Sequence, residues 1–293
     1  MKLSVITINR NNRSGLEQTL RSSLGNQPSF NDWEQIVIDG ASTDRSIEAL
    51  SEYRDSPRLG FSVSEPDSGI YNAMNKGAAH ARGEYLMFLN SGDELLPDVL
   101  QKVFSAPFSE DLVYGDIVRP VARKDVLHQM PSPDEIVPAF FLFTSLPHQA
   151  TFIRKDCLDR FGGYDESYAL AGDADFFLKA VVAKCRLRHV PFPVSRFYYG
   201  GVSNNSTLLE RWIRERTAFL APVFGREVAQ RASYPSVSLS FISPVVSEAA
   251  RRDAALACVL SRFTSAIVAM WRYHVPRAFF RGVYRLAGWL KRK

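Results

Sequence analysis

Two short runs, Leu3-Ser4-Val5-Ile6-Thr7-Ile8 and Tyr85-Leu86-Met87-Phe88-Leu89, are apolar almost throughout, and helix-like periodicity fills the chain between them. Strands without a polar face need cover on both sides, as in a parallel sheet flanked by helices. Gly15–Gly25 repeats Leu16, Leu20 and Leu24 every fourth position and makes a βα unit with the first run. A second strand, Glu34-Gln35-Ile36-Val37-Ile38-Asp39, ends in the turn Gly40–Asp44. Ser42 and Thr43 of that turn suit the N-cap of a helix through Ile47, Leu50 and Tyr53. A strand near Phe61–Ser64 and a helix near Ile70–Arg82, with Ile70, Met74, Ala78 and Ala81 on one face, complete the first hundred residues. The spacing predicts an α/β fold with a mostly parallel sheet. Residues 112–170 read as irregular, with Tyr114-Gly115-Asp116 as a short edge strand and a Pro-punctuated stretch over 131–147. A helix over Asp173–Lys184 and a strand over Leu187–Val194 follow.

In open parallel sheets, ligands bind beyond the carboxyl ends of the strands. Those ends carry Asn9, Asp39, Glu65-Pro66-Asp67 and Asn90-Ser91-Gly92-Asp93. Carboxylates brought together there repel unless a hard cation or hydrogen-bond donors lie between them, and Mg²⁺ or Mn²⁺ is held by one or two carboxylates plus phosphate oxygens. Asp93, presented by the Ser91-Gly92 turn, is the best-placed ligand; the alternative is that it caps the segment Pro97–Leu100. Asp39 stands where a carboxylate can accept hydrogen bonds from a nucleobase or a ribose. No GxGxxG follows the first strand, and no Walker A loop, HExxH or GxSxG is present, so dinucleotide, P-loop, zincin and α/β-hydrolase chemistry are set aside.

The 293 residues, 46% hydrophobic and 23% charged, can bury a full core in roughly two domains, or in one large domain with an appendage. Cys157, Cys185 and Cys258 form no CxxC pair, which predicts neither a disulfide framework nor a zinc site and suits a reducing cytosol. Met1-Lys2 runs directly into a strand, so no targeting peptide is expected.

These motifs together carry a specific likeness. Ser4-Val5-Ile6-Thr7, Ile36-Val37-Ile38-Asp39-Gly40-Ala41-Ser42-Thr43-Asp44, Ser64-Glu65-Pro66-Asp67-Ser68-Gly69-Ile70-Tyr71-Asn72-Ala73-Met74-Asn75-Lys76-Gly77 and Phe88-Leu89-Asn90-Ser91-Gly92-Asp93 occur in one order and spacing. In that register the chain resembles the family 2 glycosyltransferases, from residue 3 to about residue 206. Within the family it is most similar to bacterial enzymes building colanic acid, capsule and O-antigen. The resemblance implies a GT-A fold, a UDP-, GDP- or dTDP-linked sugar donor, Mn²⁺ or Mg²⁺, and inversion at the anomeric carbon. It places Thr7 and Asn9 at the base, Asp39 at the base or ribose, Asp67 on the nucleotide side, Ser91 and Gly92 beside the donor, and Asp93 on the metal. The family's DxD-type motif reads Asn90-Ser91-Gly92-Asp93 here, without its first acid.

Inverting transfer also needs a base for the acceptor hydroxyl. Ala171-Gly172-Asp173-Ala174-Asp175-Phe176-Phe177-Leu178 resembles the family segment that supplies it, with Asp173 in register and Asp175 as competitor. On a helix the two project about 200° apart, so only one can face the crevice; the alternative for Asp173 is an N-cap. His148-Gln149 matches a pair that the resemblance sets near the diphosphate or the acceptor, with His148 as a hydrogen-bond donor; a purely structural histidine is the other reading. Gly200-Gly201-Val202-Ser203 is either a loop closing over the donor or a plain turn.

Residues 251–293 hold ten Lys/Arg against Asp253, net +9, which leaves −4 for residues 1–250. Over 276–293, Arg277, Arg281, Arg285 and Arg292 share one helical face and Phe280, Val283, Ala287 and Leu290 the other. Such a basic amphipathic helix suits an anionic membrane surface. The stretch 254–271 is apolar but carries Arg262 at its centre, which favours an interfacial or packed helix over a span. No RNA- or DNA-reading module accompanies the charge, so nucleic acid is not an expected partner. The expectation is a catalytic domain over 1–206 and a helical extension over 207–293, cytoplasmic and peripheral on the inner face of the membrane. It would use a nucleotide-sugar donor and a lipid-linked or oligosaccharide acceptor. Two alternatives stay open: a catalytically silent GT-A subunit docked on the membrane, and another nucleotide-binding α/β enzyme.

Overall fold

In the computed structural model, which describes residues 1–121, 124–198 and 208–233, strand β1 (Leu3–Asn9) is buried along its whole length. It lies between β2 (Trp33–Asp39), equally buried, and β4 (Tyr85–Phe88), and β3 (Leu59–Ser64) flanks β2; all three pairings are parallel. Side chains on one face of these strands, Leu3, Val5, Tyr85, Met87 and Leu89, pack with Leu95, Leu100, Val113 and Phe152 into the main core. Helix α1 (Arg13–Leu20) buries Leu16 and Leu20 against Val37 and Leu50, and continues as a π-helical turn over Arg21–Gly25, so the predicted leucine stripe is one helix in two windings. Helix α2 (Ile70–His80) crosses between β3 and β4.

The other half of the sheet differs from the sequence reading. The short β5 (Glu94–Leu95) and helix α3 (Val99–Val103) precede β6 (Leu112–Val121), which is ten residues long and internal: it pairs with β7 (Lys124–His128), β8 (Thr151–Arg154) and β9 (Leu187–Arg196). Tyr114–Asp116 is therefore the middle of an inner strand and not a short edge. Periodicity failed there because Tyr114 and Asp116 are both buried, so the strand shows no alternation of polar and apolar residues. The sheet order is β3-β2-β1-β4-β8-β6-β9-β5, with β8 antiparallel to both neighbours. After β8 come α4 (Lys155–Arg160) and α5 (Gly172–Val182). Buried Cys157 and Cys185, distant in sequence, meet with their sulfurs 3.7 Å apart as free thiols.

The expected helix is a 3-10 helix over Ser46–Tyr53 whose N-cap position is Arg45, not Ser42 or Thr43; just before it Asp44 Oδ1 accepts from Ser46 N at 3.0 Å and also bonds the Ser46 hydroxyl. Ser42 is drawn into the strand-end loops described below, and Thr43 N donates to Asn11 Oδ1 at 2.8 Å.

Two compact units result. One comprises Met1–Met130 with Ser145–Leu208; the other comprises Pro131–Thr144 with the described residues from Leu209. In the second, α6 (Leu209–Phe224) and α7 (Arg226–Ala232) flank Gly225. The Arg216 guanidinium, buried, donates to the Phe141 carbonyl at 2.9 Å and stands over the Trp212 ring. Gly200–Ser203, the apolar stretch 254–271 and the basic segment 251–293 lie outside the described residues.

Candidate functional site

Register places the polar strand ends side by side: Asn9 pairs with Asp39, and Asp39 with Ser64. Asp39 is fully buried and its carboxylate meets four donors: Asn9 Nδ2 at 2.7 Å and Ser42 Oγ at 2.6 Å on Oδ1, Ser42 N at 2.9 Å and Ser64 Oγ at 2.6 Å on Oδ2. Burial alone would raise this carboxyl, but the bonds from Ser42, Ser64 and Asn9 outweigh it and hold it below its ordinary value. Asp39 is thus an ionised keystone that locks the ends of β1, β2 and β3. Asn9 Oδ1, buried, has no partner among the described residues. Thr7 is also fully buried; its hydroxyl donates to the Leu89 carbonyl at 2.8 Å and accepts from Gln35 Nε2 at 3.0 Å, so it works inside the sheet.

Asp67 turns back over Gly40, where a Cβ would run into Asp67 Oδ2, so only glycine permits that approach. Its Oδ1 accepts from Gly69 N at 3.0 Å and lies 3.8 Å from the exposed Arg10 guanidinium. The loop after β4 is clamped on α1. Asn12 Nδ2 donates to the Ser91 carbonyl at 3.1 Å, and Gly92 N donates to Thr19 Oγ1 at 2.9 Å. The Thr19 hydroxyl donates to the Asp93 carbonyl at 2.7 Å.

Asp93 does not cap Pro97–Leu100; Asp98 occupies the N-cap position of α3. Asp93 is only 9% exposed, and the one hydrogen bond to its carboxylate among the described residues comes from Tyr198 N, at 3.3 Å. Burial pushes its carboxyl up to about 7. An acid left so short of donors is suited to an external cation. Among the described residues, no three His, Cys, Asp or Glu side chains gather as a metal site, and an ion at Asp93 would take further ligands from phosphate oxygens and water. The residues fit a divalent ion on those terms.

The second carboxylate group stands at the start of α5. Ala171 is the N-cap position and provides no side-chain bond, so Asp173 is not the cap. Asp173 is partly exposed, and its Oδ1 accepts from the Tyr71 hydroxyl at 2.8 Å. Asp175 turns inward, 5% exposed, and pairs with Lys179 at 2.6 Å. The two acids do diverge as helix geometry requires.

His148 is buried against Phe88 with centroids 5.3 Å apart and nearly parallel rings, and Tyr164 meets both edge-on. Burial lowers its pKa, while the Asp173 charge acts in the opposite sense, which leaves a neutral imidazole. His148 Nε2 and Tyr164 Oη, both buried, have no partner among the described residues.

Helix α2 pins the loop before α5: Asn75 Nδ2 donates to the Tyr164 carbonyl at 2.8 Å, Tyr164 N donates to Asn75 Oδ1 at 2.9 Å, and Asn72 Nδ2 donates to Glu166 at 2.9 Å. Tyr71, Asn72, Asn75 and Tyr164 escaped the sequence reading as site residues. The first three lie inside the quoted run Ile70–Gly77, but nothing in sequence links them to partners about 90–100 positions away.

Residues 4–167 match the family described as Glycosyl transferase family 2. An uncharacterised glycosyltransferase of Mycobacterium tuberculosis is 36% identical over 188 residues, covering 61% of this chain and 69% of that one. A PGL/p-HBAD biosynthesis glycosyltransferase of the same organism is 29% identical over 183 residues, covering 59% and 68%. Among solved structures, Staphylococcus aureus TarS 1–349 in complex with UDP-GlcNAc superposes with a TM-score of 0.62 at 17% identity, covering 93% of this chain and 92% of that one. The Pyrobaculum calidifontis mannosyltransferase PcManGT, in complex with GDP-Man and Mn²⁺, gives 0.58 at 17% identity, covering 99% and 84%. At such identities the two structures establish a shared fold, the GT-A-like mixed sheet flanked by helices.

Proposed function

The chain belongs to glycosyl transferase family 2, and from that premise we propose that it is an inverting, metal-dependent enzyme of bacterial cell-surface glycan assembly. It would move a sugar from a nucleotide-sugar to a hydroxyl of a lipid-linked or polysaccharide acceptor. The observation that carries this reading is the division of labour between two acids: buried, donor-poor Asp93 beyond β4, and partly exposed Asp173 at the head of α5. Asp93 is the metal ligand; a bound Mn²⁺ or Mg²⁺ would neutralise charge developing on the leaving diphosphate. Asp173 accepts the acceptor hydroxyl's proton as that oxygen bonds to the anomeric carbon. The bond from this carbon to the diphosphate oxygen breaks with its electron pair leaving on the diphosphate. Arg10 and Asp67 border the nucleotide side, and Asn9 Oδ1, buried and without a partner among the described residues, is the acceptor that a base N–H would meet if the loop opens. Asp39 shapes that pocket through Asn9, Ser42 and Ser64. His148, neutral, serves as a hydrogen-bond donor and not as the base.

The family relatives support the cell-surface setting: the mycobacterial homologue is named for PGL/p-HBAD biosynthesis, and the chain's motifs resemble capsule and O-antigen enzymes. Saturating UDP, GDP or dTDP with Mn²⁺ is expected to stabilise the full chain by about 2.7 kcal/mol at one hundred times the dissociation constant, for one of the three nucleotides and with Mn²⁺ required. A thermal-shift series with and without metal reads this; no shift with any nucleotide would return the weight to a silent subunit.

No helix of the described residues is long and apolar enough to cross a membrane. The charge and spacing of the basic segment 251–293 support a peripheral contact with an anionic leaflet, where a lipid-linked acceptor would be met. The 293-residue chain is expected to pellet with phosphatidylglycerol-containing vesicles at low salt. A chain with Arg277, Arg281, Arg285 and Arg292 changed to Gln should pellet far less; equal pelleting would refute the contact.

A further inference from the structure

Tyr71 lies 102 positions before Asp173, yet the two side chains meet. Tyr71 is 4% exposed, on the buried face of α2, and its hydroxyl donates to Asp173 Oδ1 at 2.8 Å. This bond ties α2 to the first turn of α5.

The ring reaches this position because residue 172 is glycine: a Cβ there would stand 2.9 Å from Tyr71 Cδ2 and Cε2, closer than side-chain carbons ordinarily approach. Burial and the nearby Asp173 charge hold the phenol well above its ordinary value, so it remains a proton donor at any working pH. The ring is itself held by Tyr164, 5.6 Å away, which Asn75 fixes through two hydrogen bonds. Asp173 Oδ2 receives no donor from the described residues.

Resting on the reading of Asp173 as the base, we propose that Tyr71 is a positioning residue for transfer. It occupies Oδ1, fixes the rotamer of the carboxylate, and leaves Oδ2 as the oxygen that takes the acceptor proton. A base displaced by about 1 Å loses on the order of 100-fold in rate, which gives the interaction a kinetic signature separate from folding.

The test uses the full chain with Mn²⁺ and reads nucleotide release from UDP-glucose, UDP-GlcNAc and GDP-mannose, with water as acceptor. Tyr71→Phe keeps the ring and removes the hydroxyl. It is expected to lower kcat by about 10- to 100-fold with the donor KM unchanged within about twofold. Gly172→Ala, which pushes the ring off its seat, should lower kcat in the same way and keeps the test decisive if Tyr71→Phe folds poorly. A Tyr71→Phe or Gly172→Ala enzyme that folds and keeps kcat within about twofold of the parent, beside an inactive Asp173→Asn, would overturn the positioning role and leave the glycosyltransfer reading standing. Full activity in Asp173→Asn, or no release from any donor by the parent, would overturn that reading and this inference with it.

Discussion

Asp173→Asn is expected to slow transfer by about 100- to 10,000-fold, the range a positioned general base contributes, while nucleotide affinity stays at the parental value. Asparagine keeps the size of the side chain and can still accept the Tyr71 hydroxyl, so the fold and the head of α5 are preserved; only the capacity to take a proton is lost. An interaction made only in the transition state lowers kcat and kcat/KM alike, which steady-state kinetics on both parameters will reveal. Asp175→Asn provides the contrast. That acid is buried, paired with Lys179 one turn on, and pushed up by burial against the pull of Lys179, so its replacement disturbs a packed ion pair and not the crevice. Its rate should stay within about tenfold of the parent, with the loss appearing in the denaturation midpoint. The reverse outcome, a fast Asp173→Asn and a dead Asp175→Asn, would exchange the two roles.

The part of the molecule legible in sequence is the part governed by local pattern. The strands β1, β2 and β4 announce themselves because both faces are buried, and the leucine stripe of α1 because one face is. The strand-end acids followed from topology alone, since a parallel sheet sends its carboxyl ends to one edge. What stayed hidden depends on long-range pairing. Strand β6 carries buried Asp116 beside buried Tyr114 and therefore looked irregular, although Asp116 is satisfied by His189 at 2.9 Å and Met130 N at 2.8 Å. Ser42 looked like a helix cap because its side chain is short and polar; in the fold that hydroxyl is spent on Asp39. Tyr71 looked like an ordinary helix residue because nothing within four positions reveals that its hydroxyl bonds an acid on a different helix. The acids at 173 and 175 diverge as helix spacing dictates; the family register favours Asp173, and the packing of Lys179 and Tyr71 shows Asp175 turned inward.

Asp93→Asn is expected to make the metal-free protein more stable at pH 8 while removing its metal-dependent response to nucleotide, a combination that a structural acid would not show. The carboxyl stands at about 7 against an ordinary value of 3.8 because burial disfavours its charged form. An acid whose folded value lies above its unfolded one binds its proton more readily in the folded state. Its stabilising contribution is therefore complete below about pH 4 and is lost as pH rises toward and past 7. Asparagine carries no such charge, so the stability difference between variant and parent should be near zero at pH 4, grow between pH 4 and 7, and level off above 7 at on the order of 2–4 kcal/mol. Urea denaturation across that range reads the difference directly and cancels the titration of every other group. A divalent cation reverses the balance in the parent, since it supplies the compensation the single bond from Tyr198 does not. Because the cation must displace the proton, its affinity should weaken about tenfold for each pH unit below the Asp93 value. A variant that is less stable than its parent at pH 8, or that still responds to nucleotide with Mn²⁺, would show that Asp93 is held by the fold and not reserved for an ion.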